Sequence, residues 1–138
     1  MPRITKALKL ALMLLVVIFL IAGVLWYPYR SGAVPEWRIQ IVDTDGHPVA
    51  GVRAHEEWLE PFDEGITRVD TRQTDPRGFV MFPRRSLHNR LAFGSPPYPP
   101  AAHIFVCGQD QFGQAFWEEK DGEMVSKVEL KRGPCPFI

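Results

Sequence analysis

The sequence predicts an all-β domain, a small antiparallel β-sandwich of about seven short strands, carried behind one transmembrane α-helix. Three observations predict it. Residues 10–29, LALMLLVVIFLIAGVLWYPY, form an uncharged and mostly apolar run. Beyond Pro35, apolar and polar residues alternate at the two-residue period of a half-buried strand. Turn residues then recur about every 8–12 positions, with no long amphipathic helix between them. The 138 residues divide into a short N-terminus (1–9), the helix (10–29), a linker (30–36) and the sandwich (37–138).

A helix of about 20 residues, rising ~1.5 Å per residue, spans the ~30 Å hydrocarbon core of a bilayer. Arg3, Lys6 and Lys9 precede the run and Arg30 alone follows it closely. The positive-inside rule therefore keeps the N-terminus in the cytoplasm and exports the rest. Trp26, Tyr27 and Tyr29 fall at the far interface, where amphipathic rings settle. The competing reading is a signal peptide cleaved after Ala33, with Ser31-Gly32-Ala33 as the small residues. Against it, the run exceeds the ~7–15 residues of a usual apolar signal core, and Trp26, Tyr27, Tyr29 and Arg30 crowd the site. Either way residues 34–138 lie outside the cytoplasm. The lack of an Asn-x-Ser/Thr sequon, and eleven arginines against five lysines, point to a bacterial inner membrane with the domain in the periplasm.

Basic and acidic side chains number 16 each, but from residue 31 onward there are twelve basic and sixteen acidic ones, a net of −4. A mildly acidic domain does not offer the concentrated basic face that nucleic acid needs. Cys107 and Cys135 are the only cysteines, and an even pair in an exported domain reads as a disulfide. It closes a loop of about 29 residues, for which chain entropy gives roughly 3–4 kcal/mol.

The strands follow in order. Trp37, Ile39 and Ile41 alternate with Arg38 and Gln40. Thr44-Asp45-Gly46-His47-Pro48 turns the chain into a second extended run, 49–59, with Val52, Ala54 and Trp58 opposite Arg53, His55 and Glu57. A polar loop, 61–65, leads to Ile66–Thr74, which places Thr67, Val69 and Thr71 on one side. Thr74-Asp75-Pro76-Arg77-Gly78 turns again into Phe79–Phe82, and these two strands are expected to form a hairpin. Residues 84–93 are the least patterned stretch, with room for one helical turn around Ser86-Leu87-His88. Four prolines in 94–100 mark a loop. Strands Ala102–Cys107, Gln114–Glu119 and Val125–Lys131 complete the set.

Two stretches carry a family resemblance. Asp43-Thr44-Asp45-Gly46-His47-Pro48-Val49-Ala50-Gly51, and then Thr74-Asp75-Pro76-Arg77-Gly78-Phe79-Val80-Met81-Phe82, resemble the Asp-x-x-Gly-x-Pro-(Val/Leu)-x-Gly and Thr-Asp-x-x-Gly-x-(Phe/Val)-x-Phe pattern of the carboxypeptidase regulatory-like domain. That domain is a prealbumin-like (transthyretin-like) sandwich, and the resemblance covers roughly residues 37–83. It implies a non-catalytic accessory, adhesion or interaction module of the cell envelope, and it names no ligand. Independently of the family, Gly46 and Gly78 relieve turns that a Cβ would strain, and Pro48 pre-sets its φ. Gly51 permits a bulge or close approach inside the second strand, and Asp43 and Asp75 can cap their turns.

No catalytic signature is present and no cofactor is implied. His47, His55, His88 and His103 show no local metal-clamp spacing, and no serine lies in a Gly-x-Ser-x-Gly context. Prealbumin-like hydrolases of 5-hydroxyisourate end in Tyr-Arg-Gly-Ser, whereas this chain ends Lys131-Arg132-Gly133-Pro134-Cys135-Pro136-Phe137-Ile138. The expected function is a membrane-anchored, non-enzymatic binding or structural module with an envelope protein as partner. The alternative is a small extracytoplasmic metal-binding or hydrolytic domain that uses His55, His103 and nearby carboxylates. Pro96, Pro97, Tyr98, Pro99 and Pro100 form a stiff loop suited either to a partner's groove or to packing on the domain's own edge. Arg84, Arg85 and Arg90 read as a solvated cluster or as a contact for anionic headgroups. Phe112, Phe116 and Trp117 read as an aromatic patch with at least one ring in the core.

Overall fold

A computed structural model describes residues 2–60, 66–94 and 98–135. The N-terminal helix α1 runs from Pro2 to Trp26. Its stretch Lys6–Trp26, 21 residues, is long and apolar enough to cross a membrane. The helix stops three residues short of the expected end at Tyr29. Pro28 has no N–H to donate and disfavours helical backbone in the residue before it.

Ten strands follow among the described residues: β1 (Pro28–Val34), β2 (Trp37–Val42), β3 (Arg53–Glu60), β4 (Ile66–Gln73), β5 (Phe79–Phe82), β6 (Arg85–Arg90), β7 (Ala101–Gly108), β8 (Gln111–Glu118), β9 (Lys127–Glu129) and β10 (Lys131–Arg132). The sequence predicts about seven. Two of the additional strands, β1 and β6, replace the expected linker at 30–36 and the expected helical turn at 86–88. They pair antiparallel from Pro28↔Arg90 to Val34↔Arg85, with an irregularity between Arg30 and Gly32. Buried Leu87 and Asn89 alternate with exposed Ser86 and His88, the strand period that a short polar-rich stretch conceals.

β1 leads into β2 and β5 into β6 across two residues each, and β2 pairs antiparallel with β5 from Trp37↔Phe82 to Gln40↔Phe79. The four strands follow one another as a ribbon interrupted at Pro35-Glu36 and Pro83-Arg84, where proline cannot donate to the ladder. Thirteen residues, 28–40, give it a contour of about 40 Å. One end adjoins α1 and the other carries the 75–78 turn.

The five-stranded sheet has the order β10-β8-β7-β3-β4, and the three-stranded sheet β5-β2-β9. All pairs are antiparallel except β2 with β9, which is parallel from Gln40↔Lys127 to Val42↔Glu129. That departs from the purely antiparallel expectation. Residues 119–126 cross from one sheet to the other, so β9 is laid beside β2 in the same direction. Trp37, Ile39, Ile41, Val80 and Phe82 from the smaller sheet bury against Ala54, Ile104, Val106, Ala115 and Trp117 from the larger, joined by Val34, Leu87, Val128 and Leu130.

The expected hairpin of 66–74 with 79–82 does not form as a ladder. The turn closes on itself, Asp75 N–H to Phe79 O and Gly78 N–H to Asp75 O. The flanking strands then part at Thr74, β4 joining β3 and β5 joining β2. The first turn behaves alike, with Asp43 N–H to His47 O and Gly46 N–H to Asp43 O, before the chain leaves for β3. Gly51 precedes β3 rather than lying inside it, and its φ of +73° with open space around it makes backbone freedom its reason.

Gly78 differs from Gly46 in what surrounds it. Both have positive φ, but a Cβ on Gly78 would lie 2.6 Å from the Ile41 carbonyl oxygen, whereas one on Gly46 meets nothing within 4 Å. Gly46→Ala is therefore expected to cost about 1 kcal/mol for left-handed backbone alone, and Gly78→Ala about 2–4 kcal/mol. Denaturant unfolding of both variants checks the contrast, and equal losses would remove any role for the Ile41 contact.

Candidate functional site

Three regions carry the chemically distinctive side chains. The first is the pair of turns at 43–47 and 75–79. Asp43 Oδ1 accepts from the backbone N–H of Asp45 at 2.9 Å and of His47 at 2.8 Å. Asp75 Oδ1 accepts from Arg77 and Phe79, each at 2.8 Å. The backbone N–H of His47 is the leading cause that holds the Asp43 carboxyl below its usual range, against a smaller push from burial. The two turns lean on one another, because the Ile41 N–H donates to Gly78 O and the Val49 N–H to Ile41 O. Thr74 ties them to the segment 49–52 that leads into β3: its hydroxyl donates to Val49 O at 2.8 Å and accepts from Val52 N–H at 3.1 Å. Asp43, Asp45 and His47 bring ligand atoms within 4.8 Å of one another. Asp43 there is already engaged with the turn's own backbone, which is a structural reason for the cluster. Nearby, Cys107 and Cys135 are joined, with Cα atoms 5.6 Å apart.

The second region is the outward face of the five-stranded sheet. Phe116, His103, Phe105 and His55 form a row of rings across β8, β7 and β3, with successive centroids 6.2, 5.9 and 4.9 Å apart. His55 Nδ1 lies 2.8 Å from Thr71 Oγ1 on β4. Each histidine contacts the Phe105 ring rather than a shared point, and neither belongs to a group of three metal-ligating residues among the described residues. Phe116 is 54% exposed while its neighbour Trp117 is buried in the core. Beside the row, a shallow groove of about 150 Å³ is lined by Glu57, Trp58, Leu59, Thr67, Ala101, Ala102, His103 and Phe116.

The third region lies inside the domain, and sequence reasoning missed it. Glu56 is 0% exposed. Its Oε2 accepts from Arg85 Nε at 3.2 Å and Nη2 at 3.1 Å, while its Oε1 has no hydrogen-bond partner among the described residues. Arg85 also pairs with Asp70, which accepts from Arg72 Nε at 3.0 Å. The Arg85 guanidinium lies 4.5 Å from the centre of the Trp58 ring. Burial pushes the Glu56 carboxyl up, and Arg85 opposes it only in part. Burial also pushes Asp70 up, but hydrogen bonds from Arg85 and Arg72 outweigh it and hold that carboxyl low. The signal was present in the pattern: Glu56 stands between Ala54 and Trp58 on the inward parity of β3. Inward charges on the edge strand β4 also deter pairing with another chain.

The arginine group predicted at 84–90 is therefore divided. Arg85 points into the domain, and the Arg90 guanidinium lies over the Trp26 ring at 5.0 Å. Arg84 lines an open cleft of about 680 Å³ with Arg30, Gly32, Glu36 and Glu119. In the proline loop, Tyr98 and Pro99 are exposed and Pro100 packs on Gly32. Pro96 and Pro97 lie outside the described residues. Of the remaining histidines, His47 sits on the first turn and His88 is exposed on β6.

Neither the models of known protein families nor the curated proteins include a match to this chain.

Proposed function

We propose that the chain is a single-pass, membrane-anchored binding module of the bacterial envelope. Its N-terminus lies in the cytoplasm, its sandwich lies in the periplasm, and it engages an envelope protein through the outward face of the five-stranded sheet without catalysing a reaction. The observation that carries this reading is the row Phe116, His103, Phe105 and His55. The main core cluster lies on the opposite face of that sheet; within the row Phe105 is buried, and Phe116 is left 54% exposed with no place in that cluster. An exposed ring, Phe116, and two half-buried imidazoles, His55 and His103, beside an apolar groove are the composition of contact surfaces, where aromatic anchors dominate. The disulfide supports an oxidising compartment. The likeness to carboxypeptidase regulatory-like domains supports an accessory role, and the two Asp-x-x-Gly turns supply the local geometry which that pattern would need.

Retention of the helix is supported by β1. Cleavage after Ala33 would remove all of that strand except Val34, leaving β6 without its partner.

The test is crosslinking in cells followed by affinity capture of the full-length protein. A reproducible envelope partner is expected with the native chain. It should be lost from a His103→Ala/Phe116→Ala variant that keeps the native thermal midpoint. Capture unaffected by the double substitution would remove the sheet face as the binding surface. Absence of any partner would remove the binding reading.

A further inference from the structure

We infer that the base of the β1–β6 ribbon is a membrane foot, in which the turn Leu91–Phe93 sits at the headgroup–acyl boundary of the bilayer that α1 spans. The inference rests on the membrane-spanning reading of α1. Tyr27 alone separates the last residue of α1 from the first of β1, so the ribbon begins at the membrane surface. Its other strand ends there too, because Arg90 pairs with Pro28. Immediately after Arg90 comes a single 3₁₀ turn, Leu91–Phe93, in which Leu91 is 53% exposed and Phe93 43% exposed.

This turn is a built feature. Asn89, only 2% exposed, donates from Nδ2 to Gly94 O at 3.0 Å and accepts the Arg90 N–H on Oδ1 at 2.8 Å. Gly94 closes the turn onto Leu91 O with a φ of +74°. A buried amide thus shapes a turn whose two large side chains stay largely out of the core. The structure also supplies the neighbour. The Phe93 ring meets Trp26, the last residue of α1, edge-on at 5.8 Å, and Arg90 covers the other ring of that corner.

The depth follows from lengths. Each headgroup layer is about 5–7 Å thick if the bilayer is ~40–45 Å overall and its core ~30 Å. Trp26 at the far end of the span belongs at this level, as interfacial tryptophans do, and Phe93 is held beside it. Arg30 lies two residues up β1 from Pro28, about 7 Å along the strand. That places its guanidinium, and that of Arg90, against lipid phosphates. An apolar turn flanked by arginines is the pattern of an interfacial segment. The foot would hold the sandwich upright, with the Asp43 and Asp75 turns at the far end of the ribbon.

The experiment uses full-length protein, disulfide closed, in vesicles of phosphatidylcholine and phosphatidylglycerol. A nitroxide is attached at Leu91→Cys, Phe93→Cys, Leu14→Cys or Asp45→Cys, one at a time. Collision rates with oxygen, which partitions into lipid, and with a water-soluble nickel chelate report depth. Leu14→Cys is expected to be oxygen-accessible and shielded from nickel, and Asp45→Cys the reverse. Leu91→Cys and Phe93→Cys should show nickel collisions several-fold below Asp45→Cys, with oxygen collisions approaching those of Leu14→Cys. If positions 91 and 93 match Asp45→Cys while position 14 is shielded, the foot is wrong and the anchor stands. If position 14 is also open to nickel, the anchor and the foot fail together.

Discussion

Replacing Arg85 by alanine is expected to lower the stability of the domain by about 3–5 kcal/mol, the cost of leaving a buried charge without its partner. Glu56 is fully buried, and Arg85 donates to it through two nitrogens. Without the guanidinium, the carboxylate must either stay charged in an apolar interior or take up a proton. The expected defect therefore depends on pH. The Glu56 carboxyl is already raised by burial and rises further without Arg85. A carboxyl raised in the folded state destabilises progressively as pH increases above the unfolded value of about 4.3. The loss in Arg85→Ala should accordingly shrink toward pH 4 and grow toward neutrality. Asp70 acts in the opposite direction in the native protein. Its lowered pKa contributes stability above the ordinary aspartate range, and that contribution disappears as pH falls through its folded value. Adding Glu56→Gln to Arg85→Ala removes the orphaned charge and should recover part of the loss at neutral pH. Urea unfolding across pH 4–8, taken as approximate bounds, measures all three effects. A pH-independent loss would show that the carboxylate is not the cause.

Cys135→Ala is expected to cost roughly 3–4 kcal/mol, from the larger entropy of an unfolded chain without its 28-residue closure. The bond joins the end of β7 to the segment following β10, and β10 itself pairs with β8 over only two residues, Lys131↔Phe112 and Arg132↔Gln111. Besides that pair, the segment is held by Leu130, buried in the core, and by hydrogen bonds from Leu130 N–H to Val42 O and from Gly133 N–H to Asp110 O. For a domain of this size, each kcal/mol moves the thermal midpoint by about 4–8 °C, so a drop well above 10 °C is expected. Reducing agent should lower the native midpoint by a similar amount and leave the variant unchanged. An unchanged midpoint in Cys135→Ala would exclude a stabilising bond.

The parts of the fold legible in the sequence are those governed by local rules. The apolar run determined the helix, because 20 uncharged residues are long enough to cross a bilayer in that form and a helix satisfies its own backbone hydrogen bonds. The alternation of Trp37, Ile39 and Ile41 determined the inward face of β2, and the Asp and Gly residues of 43–46 and 75–78 determined two tight turns. The cysteine pair was legible because only one pairing exists. Where the turns led was not legible. Asp75 and Gly78 satisfy the backbone in the same way whether the flanking strands pair with each other or part into separate sheets. That choice was made at Thr74, by hydrogen bonds to Val49 and Val52, residues more than twenty positions away.

The same division explains the site. His55, His103 and Phe116 were each visible as residue types, but the row they form exists only because β3, β7 and β8 are neighbours in one sheet. Glu56 was hidden because a carboxylate on an inward position contradicts the local pattern unless a partner from β6 is already in place. β1 and β6 were read as linker and helical turn, since neither is apolar enough to be a strand on its own. Each becomes one only by hydrogen-bonding to the other across more than fifty residues. By itself, the sequence determined the apolar helix, the all-β class, the turns and the covalent staple, because propensity, length and φ restrictions act within a few residues and two cysteines allow one pairing. The tertiary structure alone decided the sheet order, the parallel β2–β9 pair, the buried charge network and the β1–β6 ribbon that follows the apolar helix, because each depends on distant groups that satisfy one another's hydrogen bonds and charges.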